Sequence, residues 1–154
     1  MQRRLVLKIA TFIGAASTLG KPWALTVAES AGLVKTVQGS VRILRNGELL
    51  AAAPGSAIMS ADRIQVAEKS SISITLRDGT MLTLGPRADL LLRHYQFAPQ
   101  TGSYGFNAYL IKGSAIYTSG KIGKVSPESV RIDTPTGTVG VRGTRFVIEA
   151  NESF

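Results

Sequence analysis

Residues 130–148 read VRIDTPTGTVGVRGTRFVI, and this stretch limits the possible fold more than any other. Thr134, Thr136, Thr138 and Gly140 fall on one parity, with Pro135, Gly137, Val139 and Val141 on the other. Period two marks extended backbone, because successive side chains of a strand point to opposite faces. Gly137, Gly140 and Gly143 recur every third residue, which predicts bends or bulges where another backbone comes close. A Gly-x-x-Gly spacing without a following Gly-Lys-Ser/Thr and helix does not make a phosphate loop, so the glycines read as structural.

The same alternation recurs upstream. Val41 and Ile43 flank Arg42, Ile64 and Val66 alternate with Arg63 and Gln65, and Ile72, Ile74 and Leu76 alternate with Ser71, Ser73 and Thr75. Asn46-Gly47 accepts positive φ at both central positions and predicts a two-residue hairpin. A second hairpin turn is predicted at Arg77-Asp78-Gly79-Thr80, and Gly85-Pro86 stops the strand after it. Residues 89–92 predict a strand buried on both faces, with Tyr95 and Phe97 continuing its alternation into a polar loop over 99–105. Residues 106–111 and 113–117 read as two separate strands, and 119–124 as a flexible connection. Any helix over 51–53 would end at Pro54. The sum is an all-β chain of roughly nine to eleven short strands. Strand spacing alone suggests a sandwich-like roll of antiparallel strands.

Charge and composition exclude several functions. The formal charge of +8 suggests a polyanion partner, but Arg3, Arg4, Lys8 and Lys21 all lie near the start. Without those four of the eighteen basic residues the excess over the ten acidic ones falls to four, with no basic run to follow a phosphate backbone. Nucleic acid is therefore not an expected partner. The absence of cysteine removes disulfides, thiolate metal sites and cysteine nucleophiles. One histidine, His94, has no carboxylate or nucleophile near it in sequence, and the carboxylates are spaced singly. Neither enzyme chemistry, nor a metal, nor another cofactor is expected.

Residues 1–24 have a basic start, an apolar segment over 9–19 and small residues after Lys21-Pro22, the layout of a signal peptide. Cleavage is expected after Ala24, with Ala28 as the alternative; an uncleaved anchor would need about twenty apolar residues. Arg3-Arg4-Leu5-Val6-Leu7-Lys8 resembles the twin-arginine export motif, with Val6 where that motif usually has Phe, and an ordinary secretory leader is the other reading. Both readings place the mature chain outside the cytoplasm, with membrane contact only through an uncleaved leader. Residues 25–38 read as a lead-in and 39–150 as the β domain.

Four side chains stand out as candidates for binding a partner. Arg142 and Arg145 flank Gly143-Thr144; Arg142 either meets an anionic ligand or fixes the turn through a carboxylate such as Asp133. Tyr104 and Tyr109 belong to an aromatic-rich run with Tyr95, Phe97 and Phe106, which forms either a sugar- or peptide-binding platform or core and strand-edge packing.

The segment TPTGTVGVRGTRF resembles the signature closing the FecR domain, a bacterial envelope module named after an iron-dicitrate signalling regulator. Gly39-x-Val41 with Asn46-Gly47, and residues 76–86 (LRDGTMLTLGP), resemble the head and middle of the same family, so the likeness spans roughly 39–148. It implies a twisted, β-solenoid-like module in the periplasm that engages an envelope protein in signalling or regulation. A cell-wall or polysaccharide-binding domain is the alternative. Full-length regulators of the family place an anti-sigma segment before a membrane helix and a further domain after the module. The few residues ahead of the apolar segment here leave no room for the former, so the expectation carried over is the module alone, its oligomeric state left open.

Overall fold

A computed structural model describes residues 29–141 and 143–151 of the chain. The segment expected to be a leader, Arg142 and residues 152–154 lie outside the described residues. Twelve strands run in order: β1 (Gly32–Gln38), β2 (Val41–Arg45), β3 (Glu48–Ala51), β4 (Ala57–Ile58), β5 (Arg63–Val66), β6 (Ser71–Leu76), β7 (Met81–Leu84), β8 (Asp89–Ala98), β9 (Ser103–Thr118), β10 (Val130–Thr134), β11 (Gly137–Gly140) and β12 (Arg145–Ala150). A single helical turn, α1 (Lys121–Val125), and a 3-10 turn at Pro127–Ser129 connect β9 to β10.

The longest strand, β9, organises the rest. Its antiparallel partner on one edge is β8 and then β7, in a register that runs from Ala98↔Ser103 back to Met81↔Thr118. Together they form one long hairpin, bent where residues 85–88 interrupt the ladder opposite Gly113. On its other edge β9 pairs first with β10, in parallel, and then with β12, antiparallel. Two half-sheets therefore share the bent hairpin: β3-β2-β5-β8-β9-β10-β11 along its first part, and β4-β1-β6-β7-β9-β12 along its second. Their inward side chains meet in one core, in which Phe106, Leu110 and Tyr117 of β9 join Ile43, Ile64, Ile74, Leu84 and Leu92. Within it the Phe106 and Tyr117 rings lie 5.7 Å apart, and Tyr117 stacks on Phe146 at 4.9 Å.

The all-β expectation holds, with a curled sheet in place of short strands alone. The alternating run at β6 buries every second residue, and Asn46 and Gly47 have φ of 51° and 79°, the turn that a two-residue hairpin requires. The strands expected over 106–111 and 113–117 are one continuous element. Gly113, at φ +88°, bends it without ending it. Tyr95 and Phe97 do not continue the parity of Leu90 and Leu92, because a bulge at Arg93 sets Leu92 opposite Ala108 and His94 opposite Asn107. Seven residues of the segment read as a lead-in form β1, which pairs with β6 along its length; a bulge at Lys35 breaks the alternation that would have revealed it. The connection read as flexible contains α1. Glycine at position 123 hides its helical character, and Ile122 anchors it in the core.

Asp78 explains how that turn is held. Its carboxylate, 2% exposed, accepts hydrogen bonds from the Thr80 hydroxyl (2.6 Å), the Tyr95 hydroxyl (3.0 Å), the Thr80 N–H (3.2 Å) and the Ile122 N–H (3.1 Å). Its carbonyl takes the Lys121 N–H at 2.9 Å. The hairpin expected at this place thus also clamps the entry of α1. Burial, and then the negative charge of Asp78, push the Tyr95 hydroxyl above its ordinary pKa, keeping it a donor.

Candidate partner-binding surface

The outward side chains of β8, β9, β10 and β11 converge on Asp133. Parallel register places Asp133 beside Tyr109, and antiparallel register places it opposite Thr138. One carboxylate oxygen accepts from Arg131 Nε at 2.9 Å and from the Thr138 hydroxyl at 2.6 Å; the other accepts from Arg93 Nη1 at 3.1 Å. The Arg93 guanidinium, carried by the β8 bulge, lies 4.4 Å above the centre of the Tyr109 ring, within cation–π range. The Thr138 hydrogen bond, then that of Arg131, hold the Asp133 carboxyl below the usual range against a small opposing effect of burial. With two arginines sharing one carboxylate, the cluster keeps one net positive charge.

Beside it opens a cleft of about 550 Å³ lined by Pro127, Glu128, Val130, Arg131, Thr138, Gly140 and Val141. On β9 beside Arg131, the Asn107 Oδ1 is shielded from solvent and has no hydrogen-bond partner among the described residues. His94 sits opposite Asn107, exposed, with its ring over Gly105 and no carboxylate bonded to it among the described residues. Among the described residues no group of three or more His, Asp or Glu side chains could hold a metal ion.

Of the four candidates from sequence, the three among the described residues lie in different places. Tyr109 lies in the cluster. Tyr104 is half-buried against Phe97, their centroids 6.0 Å apart and their planes tilted by 39°. Arg145 is exposed at the start of β12, opposite Thr118, and Arg142 lies outside the described residues. Both oxygens of Asp133, the carboxylate considered for Arg142, are engaged by Arg93, Arg131 and Thr138.

Sequence reasoning missed Arg93 and Arg131, and it missed three further buried carboxylates besides Asp133. Asp62, fully buried, receives a bidentate Arg45 (2.8 and 2.7 Å) and the Met59 N–H; Asp89 receives a bidentate Arg63 (2.8 and 2.6 Å). Asp78 has the turn and α1 donors described above. These pairs join strands and loops far apart in the chain, and the only signal for them is a solitary Asp at the rim of an apolar run.

The model of the family described as FecR protein matches residues 62–153, more than half of the chain. The chain belongs to the FecR family. The family is a signalling and regulatory one. The matched part of this FecR chain begins at Asp62 and holds β5 to β12, so it contains the bent hairpin, the Asp78 clamp and the whole Asp133 cluster. β1 to β4 precede the match and complete both half-sheets of the FecR fold. Comparison with curated proteins and with solved structures returned no match. Among the described residues no helix is long and apolar enough to cross a membrane.

Proposed function

We propose that this chain is a non-enzymatic, exported FecR module that binds an envelope protein in the periplasm as part of signalling or regulation. The family match over residues 62–153 carries the reading. The leader-like composition of residues 1–24 supports export by the secretory or twin-arginine route, with the mature chain beginning after Ala24. The contact surface is the outer face around Arg93, Tyr109, Arg131 and the neighbouring cleft, where a rigid cation–π pair and an open cavity offer a charged, shaped surface.

The geometry favours a protein over a glycan. Sugar platforms present bare aromatic faces, whereas Arg93 covers one face of Tyr109 and Phe97 packs beside Tyr104. A photo-crosslinking residue at position 109, introduced in the native envelope, should capture one protein, and capture should fall when Arg93→Ala and Arg131→Ala are combined. N-terminal sequencing of the captured form should start near Leu25. Capture of polysaccharide alone, or recovery of the chain in the cytosol with its first residues intact, would contradict the reading.

A further inference from the structure

The open edges of the sheet are not alike. β4 has two residues; β3 has four and starts with Glu48; β11 has four, begins and ends with glycine, and follows a proline-containing turn. The length of β1 beyond β4 carries the Lys35 bulge. Short, bulged or charged edges resist the addition of another strand. β12 is neither short nor bulged, and its two outward charges are of opposite sign. It holds an unbroken register with β9 from Arg145↔Thr118 to Ala150↔Gly113, contains no proline or glycine, and has no second neighbour among the described strands.

Arg145, Val147 and Glu149 share its outward face, and all three are exposed, Val147 by 62%. Neither Arg145 nor Glu149 has an ion-pair partner among the described residues, although most other arginines do. Positive, apolar and negative groups at i, i+2 and i+4 are self-complementary under a twofold axis. When two copies of β12 run antiparallel with Val147 opposite Val147, each Arg145 faces the other copy's Glu149. Phe146 then faces Ile148 on the inner side. Parallel pairing would set like charges side by side, and shifting the axis would unpair both charges: about residue 146 Arg145 faces Val147 and Glu149 faces Gly143, and about residue 148 Glu149 faces Val147 and Arg145 faces Asn151.

We infer that β12 is a self-pairing edge, through which two copies of this chain join their sheets antiparallel about Val147. This stands apart from the partner-binding surface around Asp133 and gives Arg145 a defined role. Such an isologous contact buries each patch against itself and satisfies the open ladder groups of both strands.

Sedimentation equilibrium of the purified protein tests it. The wild-type mass should rise with concentration from one chain to two. Arg145→Glu or Glu149→Arg alone places two like-charge pairs across the axis and should weaken dimerisation about tenfold or more. The double swap, R145E with E149R, should restore it, and Val147→Lys should abolish it. All four variants change exposed side chains, so at a dilution where the wild type is monomeric their melting curves should match it, showing that the variants lose association and not the fold. A wild type that stays monomeric at every concentration, with the edge left to a different protein, would overturn the inference. So would a double swap that associates no better than the single variants.

Discussion

Replacing Asp78 by alanine should lower the melting temperature by on the order of 10 °C or more. The carboxylate is buried, and four donors point at it: the Thr80 hydroxyl and N–H, the Tyr95 hydroxyl and the Ile122 N–H. Removing the acceptor leaves these groups facing apolar surroundings, at about 1–3 kcal/mol for each that finds no substitute. Partial relaxation should hold the total to about 3–5 kcal/mol. Two links depend on this residue together, the hairpin between β6 and β7 and the docking of α1. Tyr95→Phe removes one of those donors and also the acceptor of the Asp78 N–H (3.0 Å), and should cost about 1–3 kcal/mol. Urea denaturation followed by far-UV circular dichroism measures both. A loss below about 1 kcal/mol for Asp78→Ala would mean that water replaces the carboxylate, against the burial seen here.

Gly113→Val should destabilise the protein by more than about 3 kcal/mol, because it attacks the bend of the central hairpin in two ways. The residue sits at φ +88°, where side chains are strained, and a Cβ there would stand 2.4 Å from Ala88 Cα and 2.8 Å from Ala88 N. The obstruction is backbone, so no rotamer change can relieve it. Gly55 separates the two contributions: its φ is also +88°, but nothing lies within 4 Å of its Cβ position. Gly55→Ala should therefore cost only about 1 kcal/mol, the conformational share alone. Equal costs at the two positions would show that the packing between the two arms of the hairpin does not constrain the bend.

Fold class was readable because alternation is a local property. The runs at β2, β5, β6 and β7 show their buried faces directly, and Asn46-Gly47 announces its turn. What sequence could not show is where alternation slips. The bulges at Lys35 and Arg93 each add one residue, and a single added residue reverses the parity of all that follow. β1 is obscured in that way, and Tyr95 and Phe97 alternate as expected but on the parity opposite to Leu90 and Leu92. Gly113 looked like a break because glycine is usually one, yet here it lets a sixteen-residue strand pass from one half-sheet to the other.

The candidate surface was legible only in part. Tyr109 stood out as an aromatic, but its significance comes from Arg93 and Asp133, which lie 16 residues before it and 24 after it in the sequence. Parallel pairing of β10 with β9 brings Asp133 alongside Tyr109, and that crossover depends on the α1 turn that no local pattern announced. Buried carboxylates escaped notice for the same reason. A lone Asp in sequence carries no trace of the distant arginine or backbone N–H that will neutralise it.

The claim on which the rest depends is that β9 is shared by two half-sheets and fixes where every surface group stands. Hydrogen–deuterium exchange of the purified protein tests it directly, because amides held between two neighbouring strands open only with global unfolding. Over residues 106–109 and 115–118, where β9 is paired on both edges, exchange should be the slowest in the chain, with β11 and β4 among the fastest. Exchange in either part of β9 as fast as that of β11 would contradict the shared-strand architecture.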